Sequence, residues 1–154
     1  MYVWGLEAPK TSFRQRGITE APKEVKNSVK PTKIDIKDVV QVSCSSDYIT
    51  FLTSKGNVYL MGKSQVKGKD AKVANHPSEL IELDLYNIKK VQSGQNFSMA
   101  LNKDGKVFVF GNNTFGQLGT GSLKNVNDPV ELEHLIRDKV VDISCGDNYS
   151  GVVT

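Results

Sequence analysis

Histidine is nearly absent from this sequence. His76 and His134 are the only two in 154 residues, and neither has a second histidine or a cysteine at metal-ligand spacing. No nucleophile can be identified beside either one, so no Ser/His/Asp or Cys/His set can be assembled. Both are read as surface or junction residues, His76 beside Pro77 and His134 beside Glu133. No carboxylate pair stands out for acid–base work, and no cofactor or metal is expected. No apolar run approaches the roughly 18 residues that suggest a membrane-spanning helix. The start of the chain has no charged segment leading into an apolar one, and Met1-Tyr2-Val3-Trp4-Gly5 reads as strand, so no secretory signal is expected. Charge of one sign is also scarce. The net is +3 with basic residues spread along the chain, so nucleic-acid or chromatin contact has little support.

Apolar residues make up 38% and charged residues 24%, enough for a packed core. The most informative stretch is residues 96–121. Phe97 to Leu101 reads as a strand, Lys103-Asp104-Gly105-Lys106 as a tight turn and Val107 to Phe110 as a second strand. Asp-Gly between two apolar runs predicts a hairpin with a primed turn, since glycine accepts positive φ. After Gly111 come Gly116, Gly119 and Gly121, a density that marks a tightly turning loop.

The pattern recurs. Val39 to Cys44 precedes Tyr48 to Leu52, then Lys55-Gly56, then Val58 to Gly62. Ile88 to Gly94 stands in the same place before Phe97, and Val140 to Gly146 before Tyr149. Gly62 and Gly111 are 49 residues apart, Val91 and Ile143 52. A period of this size predicts stacked repeats. Boundaries follow at 2–38 (the end of one unit and a long basic loop), 39–87, 88–139 and 140–154 (the start of a further unit). No segment has long helical periodicity, so the fold class is all-β. Residues 80–85 and 132–136 read as turns or edge strands. Cys44 and Cys145 hold one repeat position two units apart, too far for a bridge. They are read as reduced, buried small hydrophobes, which fits the cytoplasm or nucleus.

These residues resemble the RCC1-type repeat (regulator of chromosome condensation). The resemblance is strongest at Val91, Gly94, Ser98, Ala100-Leu101, Asp104-Gly105, Val107, Phe110-Gly111-Asn112 and Phe115 to Gly121. It covers the chain from residue 39 and, more faintly, Tyr2 to Gly17. The family often has histidine where Tyr48, Phe97 and Tyr149 stand, and Ser45 replaces a usual glycine. The resemblance implies that each unit is one blade of a β-propeller, here an incomplete one of about three blade units. Propellers typically need about 4 to 8 blades. Met1 aligns with Val107 and Thr154 with Asn102, so the ends carry complementary parts of a blade. Open edges are expected. Three readings follow: a piece of a longer protein, one part of a multi-chain assembly with further blades, or a self-associating ring.

By the same resemblance the chain is a protein-interaction scaffold. The alternatives are a guanine-nucleotide exchange factor for a Ran-type small GTPase, or an enzyme with an unrecognised site on the propeller face. No exchange residue can be carried over, because only framework positions match. Gly116 to Ser122 lacks the lysine of a phosphate-binding loop and reads as a turn that closes the repeat. Three glycosylation patterns, at Asn96, Asn112 and Asn148, read as products of the repeat. The 6–38 loop has eight basic and five acidic residues, an excess equal to the charge of the whole chain. In it Arg14 and Arg16 take the places of Gly116 and Leu118. Guanidinium groups suit bidentate contact with carboxylate or phosphate, so Arg14 and Arg16 are the candidate partner-binding residues. The alternative is a solvated lysine-rich loop without a partner.

Overall fold

The computed structural model describes residues 2–3, 32–74, 79–135, 137 and 139–154. The chain divides into two compact units, Met1–Ile36 and Lys37–Thr154. In the first, β1 (Tyr2–Val3) pairs antiparallel with β2 (Thr32–Lys33), Tyr2 opposite Lys33.

The second unit repeats one design. β3 (Val39–Cys44), β4 (Tyr48–Thr53), β5 (Val58–Gly62) and β6 (Leu80–Glu82) form a four-stranded antiparallel sheet in chain order. β7 (Ile88–Ser93), β8 (Phe97–Asn102), β9 (Val107–Gly111) and β10 (Val126–Glu131) form another. β11 (Asp142–Cys145) and β12 (Ser150–Val153) make a two-stranded third. A 3-10 turn at Glu133–Leu135 is the one helical element among the described residues. The fold is all-β, and the second unit is an incomplete β-propeller of two four-stranded blades and a two-stranded part-blade.

Period-2 alternation sets the packing. Tyr48, Leu52, Val58 and Leu60 on one face of the first blade meet Val91, Ala100, Phe108 and Phe110 on the second. Phe97, Met99, Leu101, Val107 and Val109 on the second blade's other face meet Val140 and Ile143. A blade shows apolar groups on both faces, so each is stable only with a neighbour on either side.

The two hairpins share one register. Tyr48 faces Gly62 and Leu52 faces Val58 in the first; Phe97 faces Gly111 and Leu101 faces Val107 in the second. The predicted turns are in place, but they are not primed. Gly56 N donates to Thr53 O at 2.9 Å and Gly105 N to Asn102 O at 3.2 Å. Only the glycines, with φ of 84° and 88°, have positive φ there. This is a type I turn followed by a left-handed glycine, which leaves the two non-glycine central residues unstrained.

β10 is a strand that the sequence pattern does not announce, lying just before the turn or edge strand expected at 132–136. Pro129 lies inside it, at the outer edge of the sheet and within a register shift between Val126 and Val130, where its missing N–H costs no ladder bond.

Candidate interaction surfaces

The turns of successive blades gather in two rows, one at each end of the sheets. The first row is made by the corners that join β3 to β4, β7 to β8 and β11 to β12. Ser46 N donates to Gln95 O at 2.8 Å, and Gln95 N to Asp147 O at 3.0 Å. Each corner therefore hangs on the next by a backbone hydrogen bond. The fit is close. A Cβ at Gly94 would fall 2.5 Å from Gly146 O. At the equivalent place Ser45 turns its side chain to use: Oγ donates to Gln95 O at 2.5 Å.

A polar hollow of about 360 Å³ opens between these corners, lined by Cys44, Ser45, Ser93, Gln95, Cys145 and Asp147 among others. The cysteines are not bridged to each other, and neither has the full burial the sequence predicts: Cys44 is exposed and Cys145 half-buried. They lie at the ends of β3 and β11, and Cys145 Sγ reaches the neighbouring sheet, donating to Gln92 O at 3.5 Å. Burial pushes the Cys145 thiol up to about 12, against a smaller opposing effect of the Met99 backbone, so it is no nucleophile at neutral pH. Among the described residues no group of three or more His, Cys, Asp or Glu side chains is placed to hold a metal ion.

Beneath the corners, polar side chains join the first two blades. Gln41 Nε2 donates to Val91 O at 2.8 Å, and Val91 N donates to Gln41 Oε1 at 3.0 Å. Ser93 N donates to Ser43 Oγ at 2.9 Å. Hydroxyls continue the seam: Tyr48 to Ser98 at 3.0 Å, Ser98 to Ser93 at 2.8 Å, Ser93 to Thr50 at 3.2 Å. Burial holds the Tyr48 hydroxyl protonated well above the usual range. No buried side-chain polar atom among the described residues lacks a partner, so the seam is a closed structural network rather than a reactive one.

The glycine-rich loop joins β9 to β10. Asn113 is fully buried at its centre. Its Nδ2 donates to Thr120 Oγ1 (3.1 Å), Ser122 O (2.8 Å) and Lys124 O (3.1 Å), and its Oδ1 accepts from Leu118 N at 2.9 Å. Leu118 is buried and anchors the loop in the core. This wraps the loop on itself and confirms a turn rather than a phosphate cradle. Ser150 Oγ then ties it to the third sheet through Gln117 O at 2.6 Å. Asn113 was not singled out from sequence; an asparagine among glycines gives no sign of four partners. Arg14, Arg16 and His76 lie outside the described residues, and His134 is exposed on the 3-10 turn.

The second row of turns, at the opposite end, contains Gly56 and Gly105. It meets the entries of β7 and β11 through Ile88 N to Gly56 O at 3.2 Å and Val140 N to Gly105 O at 3.3 Å.

Comparison with known proteins agrees with this architecture. The family profile of the regulator of chromosome condensation (RCC1) repeat matches residues 104–153, and a second profile of that repeat matches residues 88–117. The mitochondrial RCC1 domain-containing protein RUG3 of Arabidopsis thaliana is 28% identical over 165 residues, covering 100% of this chain and 36% of that protein. The human E3 ubiquitin-protein ligase HERC2 is 31% identical over 160 residues, covering 100% of this chain but 3% of the ligase. Among solved structures, human WBSCR16 superimposes with a TM-score of 0.70 at 20% identity, over 84% of this chain and 35% of that one. Prp20p of Saccharomyces cerevisiae gives 0.68 at 17% identity, over 82% of this chain and 34% of that one. The chain thus spans about a third or less of the length of the proteins it resembles. With its repeated hairpins, its glycine turns and these matches, the chain belongs to the RCC1-like repeat β-propeller family.

Proposed function

We propose that the chain is a protein-interaction scaffold, with no catalytic activity of its own. The observation that carries this reading is the pair of turn rows. Backbone hydrogen bonds pass from blade to blade along both, so each row is a preformed surface that loses little entropy on binding. The relatives support it. Prp20p is described with binding properties to Gsp1p and histones, and yeast RCC1 (Prp20) was solved bound to Kap60. The HERC relatives are ligases of which this chain spans 3 to 12%, so their activity is not carried over.

The second reading is guanine-nucleotide exchange on a small GTPase, favoured by the named Gsp1p binding of Prp20p. A nucleotide-release assay with a panel of small GTPases separates the two. The scaffold reading expects stoichiometric complexes without acceleration. Acceleration would establish exchange; turnover of a small substrate would defeat both readings.

We take residues 1–154 as one repeat array, divided at 38, 87 and 139, placed in the cytoplasm or nucleus. Two unbridged cysteines suit such a reducing compartment. Arg14 and Arg16 remain the proposed contact residues of the 6–38 segment. Leu118, the counterpart of Arg16, is buried, a role that a guanidinium cannot take over. Partner capture with the Arg14→Glu, Arg16→Glu double variant tests them; an unchanged partner list removes them from the account.

A further inference from the structure

The second row of turns is longer and more charged than the first. Ser54 N donates to Asp38 O at 2.8 Å, Ile88 N to Gly56 O at 3.2 Å, Lys103 N to Asn87 O at 3.0 Å and Val140 N to Gly105 O at 3.3 Å. These bonds lead without a break from the entry of β3, past both hairpin turns, to the entry of β11. Beside them stand Lys37, Lys55, Lys89, Lys103 and Lys139, all exposed. The five ion pairs among the described residues use none of these five cations, although Lys89 is near enough to help lower the Asp142 carboxyl. Asp38 and Asp104 lie on the row, and Asp142 follows at the start of β11. At the other end of the sheets the corners carry Asp47 and Asp147, and the backbone N–H of the exposed Lys63 donates to Asp47 O at 2.9 Å. The two rows therefore differ in charge.

We infer that the lysine row docks an acidic protein surface, which rests on the scaffold reading and says where a partner sits. A lysine without an ion-pair partner gives up none when it meets a carboxylate, and same-sign charges along one edge steer an oppositely charged surface into register. The scattered carboxylates favour a protein over nucleic acid. Asp38 and Asp104 would face an unbroken line of phosphates with no relief, whereas a protein can set a lysine against each. Tyr86, 65% exposed beside Asn87, adds an aromatic anchor of the kind that protein interfaces use.

Fluorescence anisotropy with labelled polyglutamate, and with a short DNA duplex of equal charge, tests this. The Lys103→Glu, Lys139→Glu variant should bind polyglutamate about tenfold more weakly, with the Lys63→Glu control unchanged. Lys103→Gln, Lys139→Gln, with circular dichroism as the folding check, should lie between them. Equal binding by all variants overturns the inference, as does tighter binding of the duplex through the same lysines. Cellular partners captured equally by the native and charge-reversed chains overturn this surface and leave the scaffold reading. No capture by the native chain overturns the scaffold reading itself.

Discussion

The hydroxyls of Tyr48 and Ser98 lie 3.0 Å apart across the seam between the two four-stranded blades, with Tyr48 3% and Ser98 0% exposed. Fifty residues separate them in sequence. The bond is possible because β4 turns Tyr48 toward the second blade while β8 turns Ser98, with Ala100, toward the first. Tyr48→Phe should therefore cost about 1 kcal/mol, since Ser98 keeps its bond to Ser93. A double-mutant cycle with Ser98→Ala, measured by urea unfolding, should show coupling of roughly 0.5 kcal/mol or more. Additive effects would mean that the seam does not act as a network.

Gly105→Val should destabilise the fold by about 1 to 3 kcal/mol. Its φ is 88°, and an added Cβ would fall 2.8 Å from Lys139 Cγ and 3.2 Å from Val140 O. The flexible lysine can yield; the backbone carbonyl cannot. A thermal midpoint equal to that of the native chain would contradict the left-handed turn.

How far the sequence reached can be followed through particular residues. The hairpins were legible because Asp104-Gly105 and Lys55-Gly56 carry local turn chemistry that depends on no distant partner. β10 was not, because asparagine, aspartate and proline at 127–129 disfavour a strand, and only the edge position and its bulge make a proline acceptable there. The burial of Cys44 and Cys145 was misjudged for a related reason: the repeat fixes a strand position, but the neighbouring sheet decides how much of it is covered. The lysine row was invisible because Lys37, Lys55, Lys89, Lys103 and Lys139 are spread over a hundred residues and meet only when the blades stack.

Thiol chemistry should distinguish the two cysteines. Cys44 is exposed, whereas Cys145 is half-buried, with Sγ 3.5 Å from Gln92 O and its thiol pushed up to about 12. Alkylation at mildly alkaline pH should modify one thiol quickly, mapped to Cys44, and the other only on unfolding. Equal rates at both would contradict the placement of Cys145.

Acid should weaken the fold through two carboxylates. Hydrogen bonding from Lys90, then from the Ile143 amide, holds Asp142 below its usual range, and hydrogen bonding from Lys69 does most to lower Glu82. Groups depressed in the folded state contribute stability above their unfolded pKa and lose it as pH falls through the folded one. The loss should thus come below about pH 4, and Asp142→Asn with Glu82→Gln should flatten it. Because both pairs are partly exposed, the effect should be small and shrink with salt. An acid limb unchanged by the two substitutions would remove these pairs from the account.

The most direct test of the scaffold reading is quantitative affinity capture with the native chain and with an unfolded control, the Gly105→Val chain held above its melting point. The account predicts a reproducible set of proteins retained in near-stoichiometric amounts by the folded chain alone. Retention of nothing beyond what the unfolded control retains would contradict it.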